Sequence, residues 1–557
     1  MKYILKEYIS LLKEDQELDT LITDLLFSLN IIPISKPQRG RQYGVDIAGI
    51  GIDDDGKKKL FLIAVKQGNI TRNVWDSGTT AVRQTLNDIL DVYITAVLTK
   101  SQRNLPIKII VCTNGEMEQT VLLNWNKFTD NTSNKREVEF DFWGIDKIAS
   151  LVDKHLMIEQ LFDSSMKVQL KKTLAFIDLP DYDLNHYYDL IRQLYLVNTS
   201  QKKKVERILK MARLCFSIII KWSKDSNNLK PAIIASEKTL LLTYNWLKNN
   251  DLLYQQYAIK EFYSFHNLKI EIGREYIANT KDHFLVKNSL FRYSKNEIEY
   301  SLSVWEQLGI VSSIALTEIA EAAIVLGSDP DYAGVCYENA RQQIILLQYI
   351  IQNNPPSSYP EYDEHLIEIT LVMIAFSKAG FVNFASQWLS SIIVGLNDRF
   401  GLKKFIPQFH KDYQKLANIY LGNDVSIINS SMLITILADW CVIFEAPVLY
   451  KLLCEVVNQN YPELDLQLWV AASNSEDFLY TENMSRESGH TKCSIQLHEQ
   501  MEVYRQEMID DCEHSKEERE FSLMKNHFYY LGYLSSRHYR SNLLPLYWRS
   551  LVSPKQQ

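Results

Sequence analysis

The chain has 557 residues, 46% hydrophobic and 23% charged, with 19 Gly, 14 Pro and a formal net charge of -8. These proportions exclude a collagen, a disordered acidic tail and a small disulfide scaffold, and the length exceeds what one core organises, so two to four domains of about 100–200 residues are expected. Scarce Gly and Pro together with 31 Tyr favour long helices with thick apolar faces over a turn-rich all-β chain.

At the N-terminus, Lys2, Lys6 and Glu7 interrupt the first apolar run, which is therefore not the unbroken apolar core of a signal peptide. Leu18, Leu21, Ile22, Leu25, Leu26 and Leu29 then recur at helical spacing. Strand-like runs follow at Tyr43 to Ile52, Leu60 to Lys66, Ile107 to Thr113 and Val138 to Trp143. A helix from about Thr80 to Leu98 separates the second run from the third, and another follows at Ile145 to Leu156. The order helix, three strands split by a helix, strand, helix predicts an α/β layer sandwich with a mixed sheet.

From about Leu170 the strand signals fade. Apolar residues at helical spacing mark Val205–Trp222, Pro231–Lys248, Leu252–Phe265, Glu297–Leu326, Asp331–Ile351, Glu364–Phe376, Phe384–Leu396 and Ser494–Met508. No fixed repeat emerges, so an all-α irregular helical repeat or bundle is expected. Ser473 to Lys492 and Asp510 to Glu520 read as loops or frayed ends. The expected division is 1–165 for the α/β domain and 170–557 for the helical region, with a subdivision near 355. Met432 to Tyr450 is apolar but broken by Asp439 and Glu445, and reads as buried helices. Seven scattered cysteines without a CxxC pair point to a reducing cytoplasm. Mild acidity argues against a chain coated in base, though a local basic groove acts over only about 8–10 Å.

The chemistry concentrates in Arg39-Gly40-Arg41-Gln42-Tyr43-Gly44-Val45-Asp46-Ile47 and Ala64-Val65-Lys66-Gln67. The polar stretch Asp53 to Lys57 between these runs predicts a β-hairpin. Pairing centred on Gly56 sets Asp46 opposite Lys66, Ala48 opposite Ala64, Ile50 opposite Leu62 and Ile52 opposite Leu60; a bulge would shift this by one residue. Asp46, Ala48, Ala64 and Lys66 then share a face. The simplest role for the charged pair is a cross-strand ion pair of about 0.2–1 kcal/mol. Small residues beside Asp46 (Gly40, Gly44, Ala48, Gly49), Arg39, Arg41 and Arg72 around it, and Asp19 on the leading helix suggest more.

A helix with an acid, a glycine-containing loop, Gly-x-Asp on a strand and a lysine on the next strand resembles the PD-(D/E)XK nuclease superfamily, in its Mrr-like and Holliday-junction-resolvase-like branch. The resemblance covers about residues 17–156: Asp19-Thr20-Leu21-Ile22, Gly44-Val45-Asp46-Ile47, Lys66, and the late strand and helix Val138 to Leu151. It implies a restriction-endonuclease-like domain that hydrolyses DNA with Mg²⁺ or Mn²⁺. Asp46, Asp19 and the Val65 carbonyl would hold the metal, and Asp46, Lys66 and Asp19 would be catalytic. Arg39, Arg41, Arg72, Arg83 and Gln67 would contact nucleic acid, Gln67 only if the strand ends or twists there. One departure stands out: the family's acid or glutamine two residues before the lysine is Ala64. Either Asp19 or Glu17 supplies the second carboxylate, or the domain is a degenerate scaffold. By analogy, a nuclease fused to a large helical region resembles anti-phage effectors whose extra domain senses, oligomerises or docks a partner such as an ATPase.

Two competing motifs carry less. Gly51 to Lys58 nearly spells a P-loop, but Lys58 stands where Ser or Thr is required and three aspartates would repel a triphosphate. His490, Cys493, His498, Cys512 and His514 lack the paired spacing of a zinc site.

Overall fold

A computed structural model describes residues 2–34, 43–78, 81–136, 138–157, 163–177, 179, 182–402, 406–409, 412–423, 429–481, 488–514 and 517–552. Arg39 and Arg41 lie outside these residues. The chain forms two compact units, Met1–Ala235 and Ser236–Gln557.

The first unit opens with α1 (Lys2–Ser10), a π-helical turn at Glu14–Leu18 and α2 (Asp19–Ser28). A five-stranded mixed sheet follows: β1 (Ile32–Pro33), β2 (Ile47–Ile52), β3 (Lys58–Lys66), β4 (Ile107–Thr113) and β5 (Val138–Trp143), in that spatial order. The pairs β1–β2 and β2–β3 are antiparallel, whereas β3–β4 and β4–β5 are parallel. Parallel neighbours need a crossover. The first crossover carries α3 (Arg72–Asp76), α4 (Val82–Asp88) with a π-helical continuation at Ile89–Val97, and α5 (Lys100–Arg103). The second is α6 (Gln119–Arg136), and α7 (Ile145–Leu151) follows β5. The periodicity above passes over α6 because Asn and Thr dilute its apolar side to Val121, Trp125 and Phe128, at i, i+4 and i+7.

One sheet face, with Ala48, Leu60, Leu62, Ala64, Ile109 and Val111, packs on Trp75, Val82, Leu86 and Trp125 from α3, α4 and α6. The π turn, α2 and α7 serve the strands from the other layer. Three more helices complete the unit beyond the expected boundary at 165–170: α8 (Ser164–Ile177), α9 (Asn185–Leu194) and α10 (Lys202–Asp225). Cations of α10 pair with acids of the α2 layer: Lys210 and Arg213 with Asp24, and Lys221 with Glu17 at 2.6 Å.

The hairpin register differs from the expected one by two residues. Ala48 faces Leu62, Ile50 faces Leu60 and Ile52 faces Lys58. The cause is the turn. Asp53 N donates to Lys57 O and Gly56 N to Asp53 O, both at 2.9 Å, while Gly56 takes the left-handed position at φ +77°. Gly56 therefore closes a three-residue loop and does not mark its centre.

The second unit is helical, with major helices at Gln256–Phe284, Glu297–Val325, Pro330–Asn353, Leu366–Lys378, Val382–Gly401, Leu433–Ile443 and Pro447–Asn460. One hydrophobic cluster runs from Phe284 to Val552. Helix Glu297–Val325 is long and apolar enough to cross a membrane, but 83% of its apolar window is buried in the protein. Towards the chain end the expectation needs correction. A helix runs over Met501–His514, not from Ser494 to Met508, and the presumed loops contain helices Ser475–Leu479 and Glu517–Glu520 and a strand at His490–Lys492.

Candidate active site

The approach to β2 is bulged. Asp46 N donates to Ile63 O at 2.9 Å, and Ile63 is also the register partner of Ile47. Val45 and Ala48, three residues apart, both pack into the cluster containing Leu60 and Ala64. One residue more than a regular strand needs is thus accommodated, and Asp46 occupies the bulge. The expectation that Asp46 and Lys66 face each other as an ion pair is corrected: by continuation of the register Ala64 lies nearer Asp46, and no Asp46–Lys66 ion pair forms. The Asp46 carboxylate reaches sideways instead. Its Oδ2 accepts from Val65 N at 2.7 Å, which fixes it at the end of β3. Gly44 makes this path possible. It sits at φ +82°, and a Cβ there would lie 2.5 Å from Thr85 O of α4.

Other carboxylates act on Asp46 through their charge. Burial pushes the Asp46 carboxyl up to about 6; the Val65 N–H and the Lys66 charge oppose the rise, and the negative charges of Glu14 and Asp19 add to it. Glu14 and Asp19 bracket the π turn, whose Leu18 N donates to Lys13 O at 2.9 Å. An i to i+5 bond widens the turn and brings residues five apart toward one side. Asp19 is only 6% exposed, and its Oδ1 accepts from Thr20 N at 2.6 Å. Glu14 is the acid that sequence reasoning missed; the clue was the acid-rich run Glu14-Asp15-Gln16-Glu17 before the apolar helix. Glu17, the other candidate for the second carboxylate, accepts from Lys221 Nζ and from Lys13 N, so its charge is spent away from Asp46.

Lys66 ends β3 half-buried, and its ammonium forms no ion pair among the described residues. Gln67 is exposed and lies one residue beyond the strand, outside its alternation. Arg72 is exposed at the start of α3. Arg83 is exposed on α4 and pairs with Asp76 at 3.1 Å. Asn114 ties the region together: its Oδ1 accepts from Gly68 N at 2.6 Å and its Nδ2 donates to Leu12 O at 2.7 Å. It therefore links the segment after Lys66 to the segment before Glu14.

The donor set suits a hard cation, because carboxylates and a strand-end carbonyl are the ligands Mg²⁺ selects. Ala64 contributes nothing, being fully buried in the core cluster. Among the described residues no group of three His, Cys, Asp or Glu side chains is already arranged to hold a metal ion. The late His and Cys side chains that are described form no such group either, and His498 Nε2 contacts Glu507 at 2.8 Å.

Comparisons with protein-family models, with curated proteins and with solved structures returned no match.

Proposed function

We propose that the first unit is a metal-dependent nuclease acting on DNA. The observation that supports this best is the bulge-held Asp46, whose Oδ2 accepts from Val65 N at 2.7 Å next to Lys66, a lysine without an ion-pair partner among the described residues, with the negative charges of Glu14 and Asp19 also acting on its carboxyl. Like charges raise one another's proton affinity, so the cluster favours a divalent cation that would relieve the repulsion.

In this reading Asp46, with Asp19 or Glu14 and the Val65 carbonyl, holds Mg²⁺ or Mn²⁺. The bound ion supplies a water of lowered pKa and a polarised phosphate. Lys66 sets its positive charge against the negative charge growing on the phosphoryl oxygens. The Val65 N–H holds Asp46 in place. Arg72 and Gln67, exposed beyond β3, contact neighbouring phosphates, and such contacts make binding salt-dependent. By analogy with similarly organised effectors, the helical unit serves anti-phage defence by sensing, oligomerisation or docking a partner such as an ATPase.

The buried Ala64 favours a second reading, a degenerate nuclease fold that binds nucleic acid without cutting it. Incubation of plasmid with Mg²⁺ or Mn²⁺ separates the two. Cleavage by the wild type, lost in both Asp46→Ala and Lys66→Ala, supports catalysis. Equal cleavage by all three rejects this site. DNA binding that survives without metal-dependent cleavage, with Arg72→Ala weakening it, supports the scaffold.

A further inference from the structure

Helix α10 turns a stripe of polar side chains toward the layer that holds the π turn. Lys210, Arg213, Ser217 and Lys221 stand at i, i+3, i+7 and i+11, which places them on one face. Each has a partner in the opening helices of the first unit. Lys210 Nζ pairs with Asp24 at 3.1 Å and lies 3.9 Å from the centre of the Phe27 ring, and Arg213 pairs with the same Asp24. Ser217 hydrogen-bonds the Tyr8 hydroxyl. Lys221 Nζ donates to both Glu17 carboxylate oxygens, at 2.7 and 2.6 Å.

The two ends of the stripe differ. Asp24 has two cations, so the loss of one leaves it paired. Glu17 has Lys221 alone as its ion-pair partner among the described residues. Lys221 is only 9% exposed, and a pair sheltered in this way is screened little by salt.

Glu17 stands close to the candidate active site. It lies in the π turn between Glu14 and Asp19, whose charges act on Asp46. Its Oε2 also accepts from Lys13 N at 2.8 Å. The carbonyl of that same peptide, Leu12 O, accepts from Asn114 Nδ2 at 2.7 Å, and Asn114 Oδ1 accepts from Gly68 N at 2.6 Å. One peptide group and one amide side chain therefore separate the Glu17 carboxylate from the backbone two residues beyond Lys66. Held by an ammonium, that carboxylate has its charge offset and its oxygens occupied.

We propose that the Lys221–Glu17 pair is an autoinhibitory contact. With α10 seated, it withholds Glu17 from the metal; when Lys221 withdraws, Glu17 joins Asp46 as the carboxylate that Ala64 does not supply. This rests on the nuclease reading of the same site and adds its regulation. Chain order suits such control, because the next helix, Lys230–Asn249, carries the chain across the boundary into the helical unit.

Mn²⁺ binding to the full chain, followed by loss of the free-ion paramagnetic resonance signal, tests the contact without relying on cleavage. Lys221→Met keeps the aliphatic stem and leaves Glu17 its bond from Lys13 N. It is expected to bind Mn²⁺ at least about tenfold more tightly than wild type, and to cleave plasmid at correspondingly lower Mn²⁺. Lys221→Gln, a second neutral replacement, is expected to repeat the gain, and adding Glu17→Gln to either is expected to cancel it. Lys210→Met removes a cation from the same face but leaves Asp24 with Arg213, so its Mn²⁺ affinity is expected to match wild type. An equal gain in Lys210→Met, a gain that survives Glu17→Gln, or wild-type affinity in both Lys221 variants each overturns the proposal. Mn²⁺ binding that Asp46→Asn abolishes and Lys221→Met does not tighten refutes the autoinhibitory contact alone. Binding that Asp46→Asn leaves intact removes the metal site, and the contact's role falls with it.

Discussion

The Asp46 carboxylate accepts a hydrogen bond at 2.7 Å from the backbone N–H of Val65, the residue just before Lys66. A side chain on one strand thereby completes the end of the next strand, and the acid is held where the proposed nuclease reading puts a metal ligand. Asp46→Ala leaves that N–H without its acceptor and is expected to lower stability by about 1–3 kcal/mol. Asp46→Asn keeps an acceptor and is expected to fold close to wild type while losing metal-dependent cleavage. Chemical denaturation of the two variants, with circular dichroism as the readout, checks the difference. Equal stability of Ala and Asn would remove the bond from any positioning role.

Ionisation of Asp46 works against the metal-free fold. Its carboxyl is raised from 3.8 to about 6, chiefly by burial. The folded state therefore binds this proton more tightly than the unfolded chain. The stabilisation is fully present below the unfolded value and is lost as pH rises through the folded one, between about 4 and 6. Other buried acids titrate as well, so the useful quantity is the stability of wild type minus that of Asp46→Asn. That difference is expected to fall by about 1–3 kcal/mol across this window in chelator. Mg²⁺ at neutral pH should recover part of the loss in wild type and none in the variant. A flat difference would show that Asp46 is not buried among like charges.

Gly44 is the backbone condition for the bulge. At φ +82°, with Thr85 O 2.5 Å from the place of a Cβ, it tolerates no side chain without movement of α4 or of the loop. Gly44→Ala is expected to cost about 1–3 kcal/mol and to abolish cleavage, since the displaced loop carries Asp46. Gly78→Ala is the control: it also has positive φ but meets no atom of the described residues within 4 Å, so it should show a smaller loss with activity retained.

The strands and most helices were legible because their apolar spacing is local, as in Ile107 to Thr113 or Glu297 to Val325. The register was not. Asp53-Asp54-Asp55-Gly56-Lys57 announces a turn, but whether Gly56 sits at its centre or in its closing left-handed position depends on hydrogen bonds that composition does not encode. The bulge at Asp46 was invisible for the same reason. Asp46, Lys66 and Asp19 could be singled out from residue type and order, whereas Glu14 was only one acid of the run Glu14-Asp15-Gln16-Glu17, and what sets it apart is its place in the π turn. Glu17 looked equivalent to Asp19 in sequence. Its diversion depends on Lys221, about two hundred residues away, and no local pattern carries that.

Asn114 follows from the same logic of distant parts joined at one point. It is 5% exposed and sits just past β4, with one amide atom on Gly68 N and the other on Leu12 O. The first contact anchors the chain two residues after Lys66, and the second anchors it two residues before Glu14. Asn114→Ala removes both, leaving one donor and one acceptor buried without partners, and is expected to cost about 2–4 kcal/mol. Asn114→Asp retains the acceptor for Gly68 N but sets a carboxylate against Leu12 O. If Asn114 acts by positioning, its replacement should raise the Mg²⁺ concentration needed for half-maximal cleavage more than it lowers the maximal rate, because the cluster is loosened and not deleted. A purely structural role would scale both variants' rates with the folded fraction and leave the Mg²⁺ midpoint unmoved. Titrating Mg²⁺ at a temperature where each variant is fully folded distinguishes the two outcomes.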